Sequence, residues 1–105
     1  MAIVAVSIAP IGEGVSVSRF VAAALRVLEA QDRVHFRLDP MFTTLEGPLP
    51  EIFELILRMQ EAVFAEGAVR VSSVIKVDER RDREVRMEEK LRAVEAQLGP
   101  ARRAR

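Results

Sequence analysis

Val34-His35-Phe36-Arg37-Leu38-Asp39-Pro40-Met41-Phe42-Thr43-Thr44-Leu45-Glu46-Gly47 is the stretch on which the fold turns. Val34 to Asp39 alternates apolar and polar side chains, the period of a strand with one buried face. Phe42 to Glu46 reads as the next strand, because Cβ branching suits its threonines to a pleated backbone. Gly47 and Pro48 end it. Pro40 predicts a bend or a bulge between the two. So short a connection predicts antiparallel pairing, a hairpin in mid-chain. Glu46 is the residue that fits a strand interior least. With Thr43 and Thr44 it puts two hydroxyls and a carboxylate among apolar neighbours.

Each half of the chain outside the hairpin supplies one strand and one helix. Ala2 to Ile8 is apolar at nearly every position, which predicts a central strand covered on both faces. Pro10, Gly12 and Gly14 break it. A helix follows to about Gln31, with Val17, Phe20, Val21, Ala24, Leu25 and Leu28 as its apolar stripe and Ser16 or Ser18 as hydroxyl cap. After the hairpin, Pro50 suits the first turn of a second helix, which Gly67 ends. Ile52, Phe53, Ile56, Met59, Val63 and Phe64 form its inner stripe. Val69 to Val77 is the fourth strand. A third helix runs from about Glu84 to Leu98, where Met87, Leu91, Val94 and Leu98 make a narrow seam.

The order is βαββαβ plus a C-terminal helix. Two crossovers joined by a hairpin predict an α+β, ferredoxin-like sandwich with a four-stranded antiparallel sheet in the order 4-1-3-2. Residues 1–99 form one domain, and 100–105 are a basic, frayed tail. Two helices cover one sheet face. The other is expected to carry apolar side chains that a second subunit or a ligand buries, so a homo-oligomer is expected.

The chain has 105 residues, half of them hydrophobic, enough for one domain with a core of its own. Its 16 basic and 16 acidic residues cancel, so no overall field draws it to nucleic acid or to a membrane. With no cysteine, disulfides, thiolate metal sites and cysteine nucleophiles are excluded, and a reducing, cytoplasmic setting is expected. No apolar run reaches the about 20 residues of a membrane helix.

His35 stands alone, with no partner for a triad and no second metal ligand near in sequence, so neither catalysis nor metal binding is assigned to it. Gly12-Glu13-Gly14 before a helix suits a tight turn. It also suits an anion at the helix N-terminus near Ser16 and Ser18, although it lacks the third glycine of a dinucleotide fingerprint and the lysine of a P-loop. Asp78-Glu79-Arg80-Arg81-Asp82-Arg83 reads first as a solvated turn with internal ion pairs. Its sharper reading sends Arg80 or Arg81 to a ligand or a neighbouring subunit.

Six stretches carry a resemblance: Ile8 to Gly12, Ser16 to Ala22, Met41 to Gly47, Glu61 to Phe64, Gly67 to Val71, and Ile75 to Asp82. Together, over about residues 2 to 99, the chain resembles the small thiamine-binding protein family, the MTH1187/YkoF-like group. Phe42 stands where that pattern has a glycine, and Glu79 where it has a second aspartate. The resemblance implies a ferredoxin-like fold assembled as dimers and tetramers. It also implies binding of thiamine or its hydroxymethylpyrimidine part without catalysis, metal or cofactor. The ligand residues expected on this reading are Ser16, Ser18, Met41, Thr43, Thr44, Glu46 and Arg80. A carboxylate would meet the cation or the amine, hydroxyls the ring nitrogens, and Met41 and Phe42 the flat rings. Phe42 could narrow or reshape that pocket. The alternative is a regulatory or assembly module acting through its sheet and third helix. An enzyme using Glu46 and an arginine ranks last, since no nucleophile–base pair is visible.

Overall fold

In the computed structural model, residues 1–84 and 86–99 are described. The elements follow in the order β1 (Ala2–Pro10), α1 (Ser18–Glu29), β2 (His35–Leu38), β3 (Thr43–Gly47), α2 (Leu49–Ala65), β4 (Val71–Glu79) and α3 (Met87–Leu98). The sheet order is β2-β3-β1-β4, with every neighbouring pair antiparallel. This is the expected order read from its other edge, and the molecule is an α+β ferredoxin-like sandwich with an added helix. Val85 and the expected basic tail at 100–105 lie outside the described residues.

The hairpin closes through Asp39, whose N–H donates to the Phe42 carbonyl at 3.0 Å, so Pro40 sits in the turn and neither strand is bent by it. Leu38 then pairs with Thr43 and His35 with Glu46. Gly47 ends β3 with φ 155°, and a Cβ there would stand 3.3 Å from Val34 Cγ2. Only glycine relieves both demands.

Alternation along the strands divides the sheet into two chemically different faces. Ala2, Val4 and Val6 of β1 and Leu45 of β3 join Phe20, Leu28, Ile52, Met59 and Val63 of α1 and α2 in one core. The opposite face carries cross-strand rows set by the register. Asp78, Ile3, Glu46 and His35 make one row, and Lys76, Ala5, Thr44 and Arg37 the next. Two expectations fail here. β1 is central yet buried at alternate positions only, because α1 and α2 lie on the same side. The open face is mostly polar, so it does not call for burial as an apolar sheet would. Exposed apolar side chains instead stand on β4, on α3 and on α2, where Phe53 and Phe64, expected in the inner stripe, turn outward and Leu55 takes a place in the core.

α1 begins at Ser18 behind Val17, with no side chain capping it, so neither Ser16 nor Ser18 plays the expected part. It also ends before Gln31. The Gln31 amide takes N–H groups from Arg33 and Val34 at 2.9 and 2.8 Å and donates to the carbonyls of Leu28 and Val34, both at 2.9 Å. One side chain thereby folds the α1–β2 turn.

Candidate functional site

The period of two along β3 separates the residues that sequence had grouped. Thr44 and Glu46 face the open side; Thr43 faces the helices with Leu45. No single small ligand touches the side chains of both Thr43 and Thr44 without passing through the sheet.

Glu46 is 5% exposed and already engaged. Its Oε2 accepts the Met87 N–H at 2.7 Å, and its Oε1 accepts from Arg86 Nη1 at 3.3 Å. The carboxylate therefore stands at the positive end of α3, where its charge offsets both the helix dipole and a guanidinium. Met87 is the buried residue of that helix, and it follows Arg86, which offers no side-chain cap of its own. Around this joint, Arg37 Nη1 donates to Glu88 at 3.4 Å, and the Lys90 ammonium donates to Asp78. Lys90 holds the Asp78 carboxyl below the usual carboxylate range, first by that hydrogen bond and then by its charge. What looked in sequence like a ligand carboxylate is the anchor of the third helix.

Beside this anchor lies a cleft of about 270 Å³ between β4 and α3. Ile3, Asp78, Arg80, Arg83, Glu89 and Lys90 line it, and Arg80 is the one expected ligand residue there. Its guanidinium also grips Asp82, at 2.5 Å from Nε and 2.6 Å from Nη2. Arg81 donates to Glu79 at 3.1 Å. The expected charged turn is thus shorter than the run. Asp78 and Glu79 belong to β4, and Asp78 pairs with Lys90 of α3. Only the residues after Glu79 bend, with Arg80 holding Asp82 at the mouth of the cleft.

Three of the remaining candidates, Ser18, Met41 and Thr43, collect on the other side of the sheet. A groove of about 780 Å³ runs between α1 and the β2–β3 turn, lined by Ser18, Val21, Leu25, Leu38, Asp39 and Pro40 among others. It shares Val21, Leu25, Leu38, Asp39 and Pro40 with a smaller cleft of about 90 Å³, which adds Met41, Phe42 and Thr43. Its walls are largely apolar, and the charged side chains that line it are Arg26, Glu29 and Asp39. Asp39 is in turn oriented by Arg37 Nε at 3.3 Å. Ser16 is exposed in the loop ahead of α1 and lines neither cleft. The loop glycines Gly12 and Gly14 sit at φ 87° and 89°, which explains them as turn residues.

Sequence reasoning passed over Asp39, Glu29, Arg37 and Arg86. Asp39 carried a signal, since it stands before the proline of a hairpin turn. Arg86 carried none, because its partner lies on another element. His35 pairs in register with Glu46 and is exposed. Among the described residues no group of His, Asp or Glu side chains is arranged to hold a metal ion. No helix among them is long and apolar enough to cross a membrane.

Comparison with known proteins adds the decisive observation. The sequence profile of the family described as thiamine-binding protein matches residues 4–95. The chain belongs to that family. It is 40% identical over 104 residues to the UPF0045 protein YqgV of Bacillus subtilis, covering 95% of this chain and all of that one. The solved structure of hypothetical protein MJ1052 from Methanocaldococcus jannaschii superposes with a TM-score of 0.81 at 38% identity, over 89% of this chain and 94% of that one. TM0486 of Thermotoga maritima, whose name provisionally assigns it to thiamine biosynthesis or salvage, has a TM-score of 0.75 at 18% identity, over 89% and 97% of the two chains. That last likeness speaks to the fold alone. Family membership agrees with the α+β scaffold and points to a small-molecule ligand.

Proposed function

We propose that this protein binds thiamine or its hydroxymethylpyrimidine part and performs no chemistry on it. The observation that carries the reading is the family match over residues 4–95. The groove between α1 and the β2–β3 turn supports it. Val21, Leu25 and Leu38 cover the flat rings, the exposed Met41 flanks them from the β2–β3 turn, and Asp39 and Glu29 offset the thiazolium charge. Ser18 and Thr43, which line the groove and its inner cleft, would read polar ring atoms. Phe42 lines the inner cleft and sets its depth. Glu46 serves this site only indirectly, through the scaffold. Within a cytoplasmic pool, a homo-oligomeric binder of this kind would hold or deliver the vitamin.

Calorimetry and thermal shift with thiamine test the reading. Wild-type protein releases heat and gains in Tm with added thiamine, and an Ala22→Trp variant, which fills the groove, loses both. No heat and no shift with millimolar thiamine would sink the ligand assignment. Full binding by Ala22→Trp would move the site elsewhere.

A second reading, a regulatory or assembly module, is favoured by the apolar seam that α3 leaves exposed at Leu91, Val94 and Leu98. It gains ground if a heterologous protein copurifies in fixed stoichiometry with a chain that ignores thiamine.

A further inference from the structure

Peroxides attack sulfur first, and the sulfur of this protein lies in four methionines, because it has no cysteine. Packing separates the four. Met59 of α2 is 2% exposed and sits in the core. Met87 is 8% exposed at the first turn of α3. Met1 is half-buried and lines the cleft between β4 and α3. Met41 is 79% exposed. It stands with Pro40 at the tip of the β2–β3 turn, which the Asp39 N–H closes on the Phe42 carbonyl at 3.0 Å. Met41 also lines the inner cleft together with Val21, Leu25 and Leu38, which wall the larger groove as well. The methionine most open to an oxidant therefore borders the groove that suits a ligand.

We infer that Met41 is an oxidation site whose sulfoxide loosens the ligand held in the groove, a regulation that rests on the thiamine-binding reading. The step is a two-electron oxygen transfer from a hydroperoxide. A lone pair of Met41 Sδ attacks the outer peroxide oxygen, and the S–O bond forms as the O–O bond breaks. The proton on that oxygen passes to the departing alkoxide, which leaves as an alcohol. Sulfur is oxidised and the peroxide is reduced. A polarisable apolar thioether thereby becomes a polar sulfoxide. Such a group holds water rather than lying against the face of a ring. Met59 and Met87 are withheld from the reagent by burial, so the core and the α3 anchor survive the treatment. Reduction of the sulfoxide by a thiol-dependent reductase returns the thioether, which makes the change reversible.

Treatment with tert-butyl hydroperoxide, followed by peptide mapping in a mass spectrometer, tests the site. Met41 should gain one oxygen about tenfold faster than Met1, Met59 or Met87. Calorimetry with thiamine, on protein freed of peroxide, tests the consequence. Affinity should fall by about tenfold in step with conversion of Met41, the loss expected when a good sulfur–ring contact goes. It should return after treatment with methionine sulfoxide reductase. Met41→Leu, compared with itself before and after peroxide, should show no such fall. Faster oxidation at another methionine would overturn the proposal. So would an equal loss of affinity in peroxide-treated Met41→Leu. If untreated protein binds no thiamine, the ligand reading fails and the regulation fails with it. Thiamine binding that survives full oxidation of Met41 overturns the regulation alone.

Discussion

Glu46 Oε2 accepts the backbone N–H of Met87 at 2.7 Å across forty-one positions of sequence, and this bond joins the middle of the sheet to the first turn of the last helix. Removing it leaves a buried N–H without a partner and Arg86 without its counter-charge. Glu46→Ala should therefore cost about 1–3 kcal/mol and fray α3 first. Glu46→Gln should cost less, because an amide oxygen still accepts from Met87. Hydrogen exchange along 87–98 and chemical denaturation measure both. An unchanged exchange rate at Met87 in Glu46→Ala would contradict the anchoring role.

Arg80 holds the Asp82 carboxyl down to about 2 from its usual 3.8, chiefly by hydrogen bonding. Because the folded value lies below the unfolded one, the pairing contributes stability above about pH 4 and loses it as the pH falls toward 2. An NMR titration of the Asp82 carboxyl carbon should show that low midpoint. Arg80→Ala should return it toward 3.8.

Gly47 combines φ 155° with a Cβ position 3.3 Å from Val34 Cγ2. Gly47→Ala should destabilise the fold by about 1–3 kcal/mol. A Val34→Ala background should recover the steric part and leave the backbone part. Urea denaturation of the two single variants and the double variant separates these contributions.

Gln31 makes four hydrogen bonds to backbone groups of the α1–β2 turn. Gln31→Ala removes all of them and should cost about 2–4 kcal/mol, each net bond contributing roughly 1 kcal/mol. Gln31→Glu should fall short of wild type as well, since a carboxylate cannot donate to the Leu28 and Val34 carbonyls. Thermal unfolding of the pair tests whether donation matters.

The sequence carried much of this. Alternation in Val34 to Asp39 and the short turn at Pro40 were enough for the hairpin. The stripes of α1 and α2 were enough for the helix layer, and together they implied the strand order seen. Misreadings arose where the signal was local but the cause was distant. Continuous apolarity in β1 suggested cover on both faces, yet helices lie on one side only. Ser16 and Ser18 had the chemistry of caps but not the position, since Val17 precedes the first turn. Gln31 looked like a helix end and proved to be the tie of a turn.

Elements, their order and the antiparallel hairpin are what the sequence by itself determined, because hydrophobic period, proline and glycine act within a few residues of where they stand. Its likeness to a thiamine-binding family was also legible there. The tertiary structure decided which side chains share a space. It set which face of β3 the helices cover, placed the Glu46 carboxylate at the N-terminus of α3, and opened a groove beside α1 lined by Ser18 and Asp39. Those outcomes depend on packing between segments far apart in the chain, and no local pattern encodes them.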